Sequence, residues 1–207
     1  MTQSQRVLIV DDHPLFRDAL EVALDRAGLG KIETSQAGSL SEALPELEKA
    51  PASLVLLDLN MSDTEGFDGL TRLLAASKDA RVAIVSATET AEAFATAKAL
   101  GASAYLPKSL SLDDLTAALG RILQGEDWYP EGAEEESISE AARKVAELTP
   151  AQRRVLNGLA AGLLNKQIAY EMGISDATVK AHMTAIMRKL GATNRTQALL
   201  IYREAVS

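Results

Sequence analysis

No cysteine occurs in the 207 residues, which excludes disulfides, thiol catalysis and cysteine-held zinc or iron–sulfur centres. Histidine is nearly absent as well. His13 and His182 stand far apart in the chain, so a histidine-based metal site within one domain is not expected. Long apolar runs are missing too: Val7–Val10 and Leu54–Leu57 fall far short of the roughly 18 residues a membrane span needs. The polar Met1–Arg6 leads straight into a strand-like run and does not suit a signal peptide. What remains is the balance of an ordinary globular protein, 47% hydrophobic and 24% charged, at a length that suits two domains. The expectation is a soluble, cytoplasmic protein with no membrane partner.

The net charge of −8 conceals an asymmetry. From Glu147 to Ser207 there are eight Lys/Arg against four Asp/Glu, a surplus of +4, which leaves −12 for the rest of the chain. A basic unit of this kind suits a polyanion, and an acidic one does not. Two units with different partners follow more naturally than one.

The pattern of the chain divides the same way, into a front unit over residues 1–125, a linker over 126–146 and a helical unit over 147–207. In front, short apolar runs predict strands at Arg6–Val10, Lys31–Ser35, Leu54–Asp58, Arg81–Ser86 and Ala104–Leu106. Between them, amphipathic spacing predicts helices at Pro14–Arg26, Leu40–Lys49, Gly66–Ala76, Thr90–Leu100 and Leu112–Gln124. Five βα units with near-continuous apolar strands indicate an α/β fold, a parallel sheet covered on both faces. The linker is rich in glycine, proline and acid, with a short helix expected at Ser139–Ala146. The last stretch is all helical. Thr149-Pro150-Ala151-Gln152 opens a helix with a capping box, Asn165–Met172 follows, Ser175 caps a longer helix over Asp176–Leu190, and Arg195–Ala205 makes a fourth.

In a parallel sheet the functional residues lie beyond the carboxyl ends of the strands. Strand one ends in Asp11 and Asp12, and strand three in Asp58. In a flavodoxin-like order these strands are neighbours, so three carboxylates converge and call for a compensating cation. Oxygen-only ligands favour Mg²⁺. Strand four ends in the hydroxyl of Ser86, and strand five is followed by the ammonium of Lys108. A lone Asp at a strand end is usually a cap, and a lone Lys usually lies on the surface. Their coincidence at four strand ends is what points to a phosphoryl group: the metal and lysine neutralise its oxygens, the hydroxyl donates to it, and a carboxylate attacks phosphorus.

The runs VLIVDDHPLFRDAL, LVLLDLNM, AIVSA and GASAYLPKS resemble the receiver domain of bacterial two-component response regulators, and HPLFR resembles the NarL/FixJ subfamily. The resemblance implies a flavodoxin-like (βα)5 receiver in which Asp58 accepts the phosphoryl group. Asp12 would be a Mg²⁺ ligand with Asp11 beside it, and the Asn60 backbone carbonyl would complete the set. Ser86 and Tyr105 would form the switch pair, with Lys108 binding phosphate. Ser62 and Ser109 stand where the family usually has proline, and Ser86 where threonine is commoner; none of these departures touches the essential groups.

On Asp176–Leu190 the spacing of Val179, Met183, Ile186 and Leu190 predicts a core-facing stripe, which turns Lys180, Ala181, Thr184 and Arg188 outward. Lysine can read guanine edges, and Ala or a Thr methyl can touch thymine. Lys166, Lys189 and Arg195 suit phosphate contacts, His182 either packing or phosphate, and Ser175 and Thr178 lie at the helix start. A solvated basic face on a protein-binding bundle is the plainer alternative. LTPAQRRVLNGLAAGLLNKQIAYEMGISDATVKAHMTAIMRKLGATNRTQALL resembles the LuxR-type helix-turn-helix, a small all-α four-helix domain. That implies a recognition helix at Asp176–Leu190 and pairing of domains through Arg195–Ala205. Gln152 and Leu164 depart from the residues usual at their positions, the second weakening a cap.

Together the two resemblances imply a response regulator and transcription factor rather than an enzyme. A sensor histidine kinase would phosphorylate Asp58, the surface around the fourth helix, fifth strand and fifth helix would repack, and the recognition helix would be freed. The active form would be a homodimer on double-stranded promoter DNA. Two other readings were open. A haloacid dehalogenase-type phosphatase would carry its nucleophile on strand one in an Asp-x-Asp pattern, where this chain reads Asp11-Asp12-His13. A DNA-binding regulator controlled by protein contacts or a ligand, independently of phosphorylation, would keep the same helical unit.

Overall fold

The computed structural model describes residues 5–28, 30–77, 80–131 and 138–207. Its front unit alternates β1 (Gln5–Val10), α1 (Pro14–Arg26), β2 (Ile32–Ala37), α2 (Leu40–Lys49), β3 (Leu54–Asp58), α3 (Asp68–Ala76), β4 (Arg81–Ser86), α4 (Ala91–Leu100), β5 (Ala104–Pro107) and α5 (Leu112–Leu123). The strands form one parallel sheet in the order β2-β1-β3-β4-β5. The chain moves outward from β1 to β2 and then crosses back to β3, so strand order reverses between β1 and β3. Loops leaving those two carboxyl ends diverge and leave a crevice.

Alternation along the strands supplies two apolar faces. Val7, Ile9, Leu54, Leu56, Ala83 and Val85 pack with Leu20, Leu24, Leu115 and Leu119 of α1 and α5. Leu8, Val10, Val55, Leu57, Val82 and Ile84 face α2, α3 and α4. β2 differs: as an edge strand it buries only Ala37 fully, and its residues IETSQA are mostly polar. The opposite edge is shielded by Trp128, which bridges to Ala104 and accepts the Tyr105 N–H at 2.9 Å.

α6 (Glu140–Ala146), α7 (Pro150–Ala160), α8 (Asn165–Met172), α9 (Asp176–Leu190) and α10 (Arg195–Val206) make up the back unit. Thr149 and Gln152 complete the reciprocal cap of α7. Leu164 offers α8 no such oxygen; only the Gln167 side chain reaches back, accepting the Leu164 N–H at 2.8 Å. α6 belongs to this bundle, packing on α10 and α9, and it also lies on α4 of the front unit. Through Ala141, Ala142 and Val145 the apolar layer beneath the sheet runs on into Val155, Leu156, Val179, Ile186 and Leu190. Among the described residues no helix is long and apolar enough to cross a membrane.

Candidate functional site

β3 is buried along its whole length and delivers Asp58 to the crevice with 1% of its surface exposed. Asp11, directly after β1, is fully buried, and Asp12 is half-buried beside it. Lys108 follows β5 and reaches across β4, its Nζ lying 2.8 Å from Asp58 Oδ2 and 2.8 Å from Asp11 Oδ2. Burial opposes the lysine's charge, but the two carboxylates outweigh it and hold its pKa above the ordinary value. The Phe16 ring, 4.7 Å from Nζ, closes the apolar side of the crevice.

Asp58 Oδ1 accepts the Asn60 N–H at 3.0 Å, which fixes the carboxylate and leaves Oδ2 facing Lys108. Ser86 is fully buried at the end of β4; its oxygen accepts from Asn60 Nδ2 at 3.3 Å and from the Thr88 N–H at 3.1 Å. Tyr105 is fully buried, its hydroxyl donating to the Thr88 carbonyl at 2.7 Å and its ring meeting Phe94 edge-on at 4.8 Å. Burial raises the Tyr105 pKa, so the phenol stays neutral. Thr88 therefore joins the two: one end of its backbone holds Ser86 and the other holds Tyr105.

His13 is a member of the cluster that sequence spacing did not indicate. Its Nδ1 lies 2.8 Å from Asp12 Oδ1, 3.1 Å from Asp11 Oδ1 and 3.8 Å from Asp58 Oδ2, while the ring is largely exposed. With it the cluster comprises Asp11, Asp12, His13 and Asp58, each placing one ligand-type atom within 4.8 Å of the others. The only sequence signal was adjacency to Asp12. A cleft of 370 Å³, lined by His13, Leu15, Phe16, Asn60, Ala87 and Lys108, opens over Asp58. Two buried carboxylate oxygens there, Asp11 Oδ2 and Asp12 Oδ1, are met only by the Lys108 ammonium and the His13 ring, at 2.8 Å each. Carboxylate oxygens gathered this closely beside a solvent-open cleft are a donor set that fits a hard divalent cation.

At the other end of the molecule, Val179, Met183, Ile186 and Leu190 form the buried stripe of α9. Lys180, Ala181, Thr184 and Arg188 are exposed, Lys180 pairing with Asp176 one turn back at 2.7 Å. The receiver-like unit does not cover them. The outward face of α9 is open to solvent. Ser175 caps α9, accepting the Thr178 N–H at 3.1 Å, and the two hydroxyls lie 2.8 Å apart. Lys166 is exposed and His182 half-buried. Lys189 is half-buried and engaged within the fold, whereas Arg195 is exposed and only one of its nitrogens is engaged. Lys189 donates to the Glu147 carbonyl at 2.7 Å and to Gln152 Oε1 at 3.0 Å, and Arg195 donates to the Leu163 carbonyl at 2.9 Å.

Comparison with known proteins gives two family matches. Residues 7–120 match the response regulator receiver domain, and residues 146–202 match the bacterial regulatory proteins of the luxR family. A glycerol metabolism activator of Pseudomonas putida is 35% identical, covering 94% of this chain and 93% of that protein. The nitrate/nitrite response regulator protein NarL of Escherichia coli K12 is 30% identical, covering 97% and 96%. In fold, the chain is similar to RcsB from Salmonella enterica serovar Typhimurium bound to promoter P1flhDC in the presence of the phosphomimetic BeF3−. That likeness has a TM-score of 0.58 at 20% identity, covering 99% of this chain and all of that one.

Proposed function

The chain belongs to the two-component response regulators that join a receiver to a LuxR-type DNA-binding domain, transcription regulators rather than enzymes, and from that premise we propose that Asp58 is its phospho-acceptor. The observation that carries this is the Asp58 carboxylate itself, buried, steadied by the Asn60 N–H and ion-paired to Lys108 under an open cleft. Oδ of Asp58 attacks the phosphorus of a phosphohistidine on a sensor kinase; the P–N bond breaks and an acyl phosphate forms. Lys108 passes from the carboxylate to a phosphoryl oxygen. Asp11, Asp12, Asp58 and the Asn60 carbonyl would hold Mg²⁺, whose charge offsets the carboxylates and the phosphoryl group.

Ser86 donates its hydroxyl proton to the new phosphoryl oxygen. Because the Thr88 N–H is bonded to Ser86 and the Thr88 carbonyl to Tyr105, moving Ser86 loosens the Tyr105 hydroxyl and the α4 start that follows. The receiver is then residues 1–125 and the output domain 147–207, with α6 at the end of the linker packed onto the output bundle. The output domain reads double-stranded DNA as a homodimer in the cytoplasm. Lys180, Ala181, Thr184 and Arg188 meet base edges, and Lys166, Ser175, Thr178 and His182 sit near the backbone. Lys189 serves that face by holding it rather than by touching phosphate, while exposed Arg195, with one nitrogen on the Leu163 carbonyl, keeps donors for the phosphate backbone.

Asp58→Asn tests the site. With a small-molecule phosphodonor and Mg²⁺, the natural chain is expected to take up one phosphoryl group, read as a mass increase or a shift on a phosphate-affinity gel. The variant is expected to take up none. Undiminished labelling of the variant would place the acceptor elsewhere.

A further inference from the structure

His13 stands where α1 begins, with the extended backbone of a helix cap, yet its side chain caps nothing. Its N–H donates to Asp11 Oδ1 at 2.7 Å, which fixes the residue against the end of β1. The two cationic-type groups of the crevice then divide the carboxylates. Lys108 takes Oδ2 of Asp11 and Oδ2 of Asp58. The His13 ring faces oxygens of three different residues, with Nδ1 2.8 Å from Asp12 Oδ1, 3.1 Å from Asp11 Oδ1 and 3.8 Å from Asp58 Oδ2.

Two arrangements account for such convergence. In the first, Nδ1 is a hydrogen-bond donor. A ring nitrogen carries at most one proton, so it answers Asp12 well, Asp11 only by sharing, and Asp58 not at all. In the second, Nδ1 and the oxygens surround a common cation. Donor atoms at ~2.1 Å from one octahedral ion lie ~3.0 Å apart when adjacent and ~4.2 Å apart when opposite. The two shorter separations here match adjacent positions, and the longest falls between the two values. All four residues place a donor atom within 4.8 Å of the others, so one ion can serve the whole set.

A nitrogen in that set changes which ion it prefers. Carboxylate, carbonyl and water suit Mg²⁺, a hard ion that keeps its waters and gains little from imidazole. First-row transition dications accept imidazole beside carboxylate, and a neutral ring adds a ligand without adding to the negative charge already gathered. The ring is 64% exposed, so the small turn that ligation requires disturbs no packed neighbour.

We propose that His13 Nδ1 is a metal ligand of the crevice, and that the site therefore takes a first-row transition dication in preference to Mg²⁺. The carboxylate part rests on the reading of the crevice as a divalent-cation site given above. The imidazole part is independent of it, and the two are tested separately.

His13→Gln is the informative variant, because glutamine still offers Asp12 a hydrogen bond but has no ring nitrogen. The position is exposed and caps nothing, so thermal melting of the full chain should be unchanged. Calorimetric titration of the natural chain should show Co²⁺ binding at least tenfold tighter than Mg²⁺. In His13→Gln the affinity for Co²⁺ should fall at least tenfold and that for Mg²⁺ stay within twofold. With Mn²⁺ as a paramagnetic probe, pulsed electron paramagnetic resonance should detect a directly bound ¹⁴N nucleus in the natural chain and none in the variant. Equal affinities for Co²⁺ in the two chains, or bound Mn²⁺ without nitrogen coupling, would overturn the ligand role and leave the carboxylate site standing. Asp12→Asn should weaken Co²⁺ and Mg²⁺ together; if it weakens neither, the cation lies elsewhere and both readings fall.

Discussion

The acidic crevice and the open face of α9 are built on opposite plans. The crevice gathers residues from four strand ends, burying Asp11, Asp58 and Ser86 and half-burying Lys108, so that Lys108 holds the two carboxylates and Asn60 and Thr88 hold Ser86. The face of α9 is drawn from one continuous helix, whose outward side chains lie in solvent and touch little besides their own turn. A buried cluster concentrates energy in single residues, because removing one leaves its partners' charges unanswered in a poorly screened place. An exposed face spreads its energy over many modest contacts that exist only with the partner present. Substitutions in the crevice should therefore behave as switches, and those on α9 as graded weakenings.

The largest effect after Asp58→Asn is expected from Lys108→Ala. Removing one preorganised electrostatic donor from a catalytic pocket costs on the order of 10²-fold in rate. Phosphorylation from a small-molecule donor should slow by about that factor, and the variant should stay folded, as checked by thermal melting. A loss of only twofold to threefold would show that Lys108 is an exposed cation of ordinary weight and that the crevice works like a surface. On the other side of the comparison, Lys180→Ala should weaken specific DNA binding by about 1–3 kcal/mol and leave phosphorylation unchanged. Complete loss of binding to every sequence would mean the α9 face is as concentrated as the crevice.

What could be read from residues alone divides along the same line. The strand ends were legible because buried strands of a parallel sheet are uninterrupted apolar runs, so the polar residue that stops each run marks its carboxyl end. The run LVLL before Asp58 and VAIV before Ser86 are of this kind. The buried stripe of α9 was legible because spacing fixes which side of a helix turns inward. Spacing does not say what a flanking side chain will touch. His13 folds back over Asp12 through a local turn that no periodicity encodes. The start of α3 was displaced from Gly66 to Asp68 because the glycine takes a left-handed conformation against the end of α10, a contact made by residues 140 positions away. For the same reason the contacts of Arg153, Asn157 and Tyr202 with the front unit left no signal: each lies on an amphipathic helix whose inward face could have met its own bundle alone.

Lys189 and Lys166 give the finest test, since by sequence they are alike: basic, on helices of the same domain, and both candidates for phosphate. The structure separates them. Lys166 is exposed at the start of α8, whereas Lys189 closes the junction of three elements, donating to the Glu147 carbonyl that ends α6 and to the Gln152 oxygen that caps α7. If Lys166 meets phosphate, Lys166→Ala should lower the slope of log affinity against log salt by about one and leave stability within about 0.5 kcal/mol. Lys189→Ala should do the reverse, costing about 1 kcal/mol of stability through two lost hydrogen bonds and leaving the slope unchanged. Salt-dependent DNA titrations and chemical denaturation of both variants would separate the two roles. A slope that falls by one for Lys189→Ala at undiminished stability would return that lysine to the DNA face, and the reading face would then extend to the end of α9 rather than stop at Arg188.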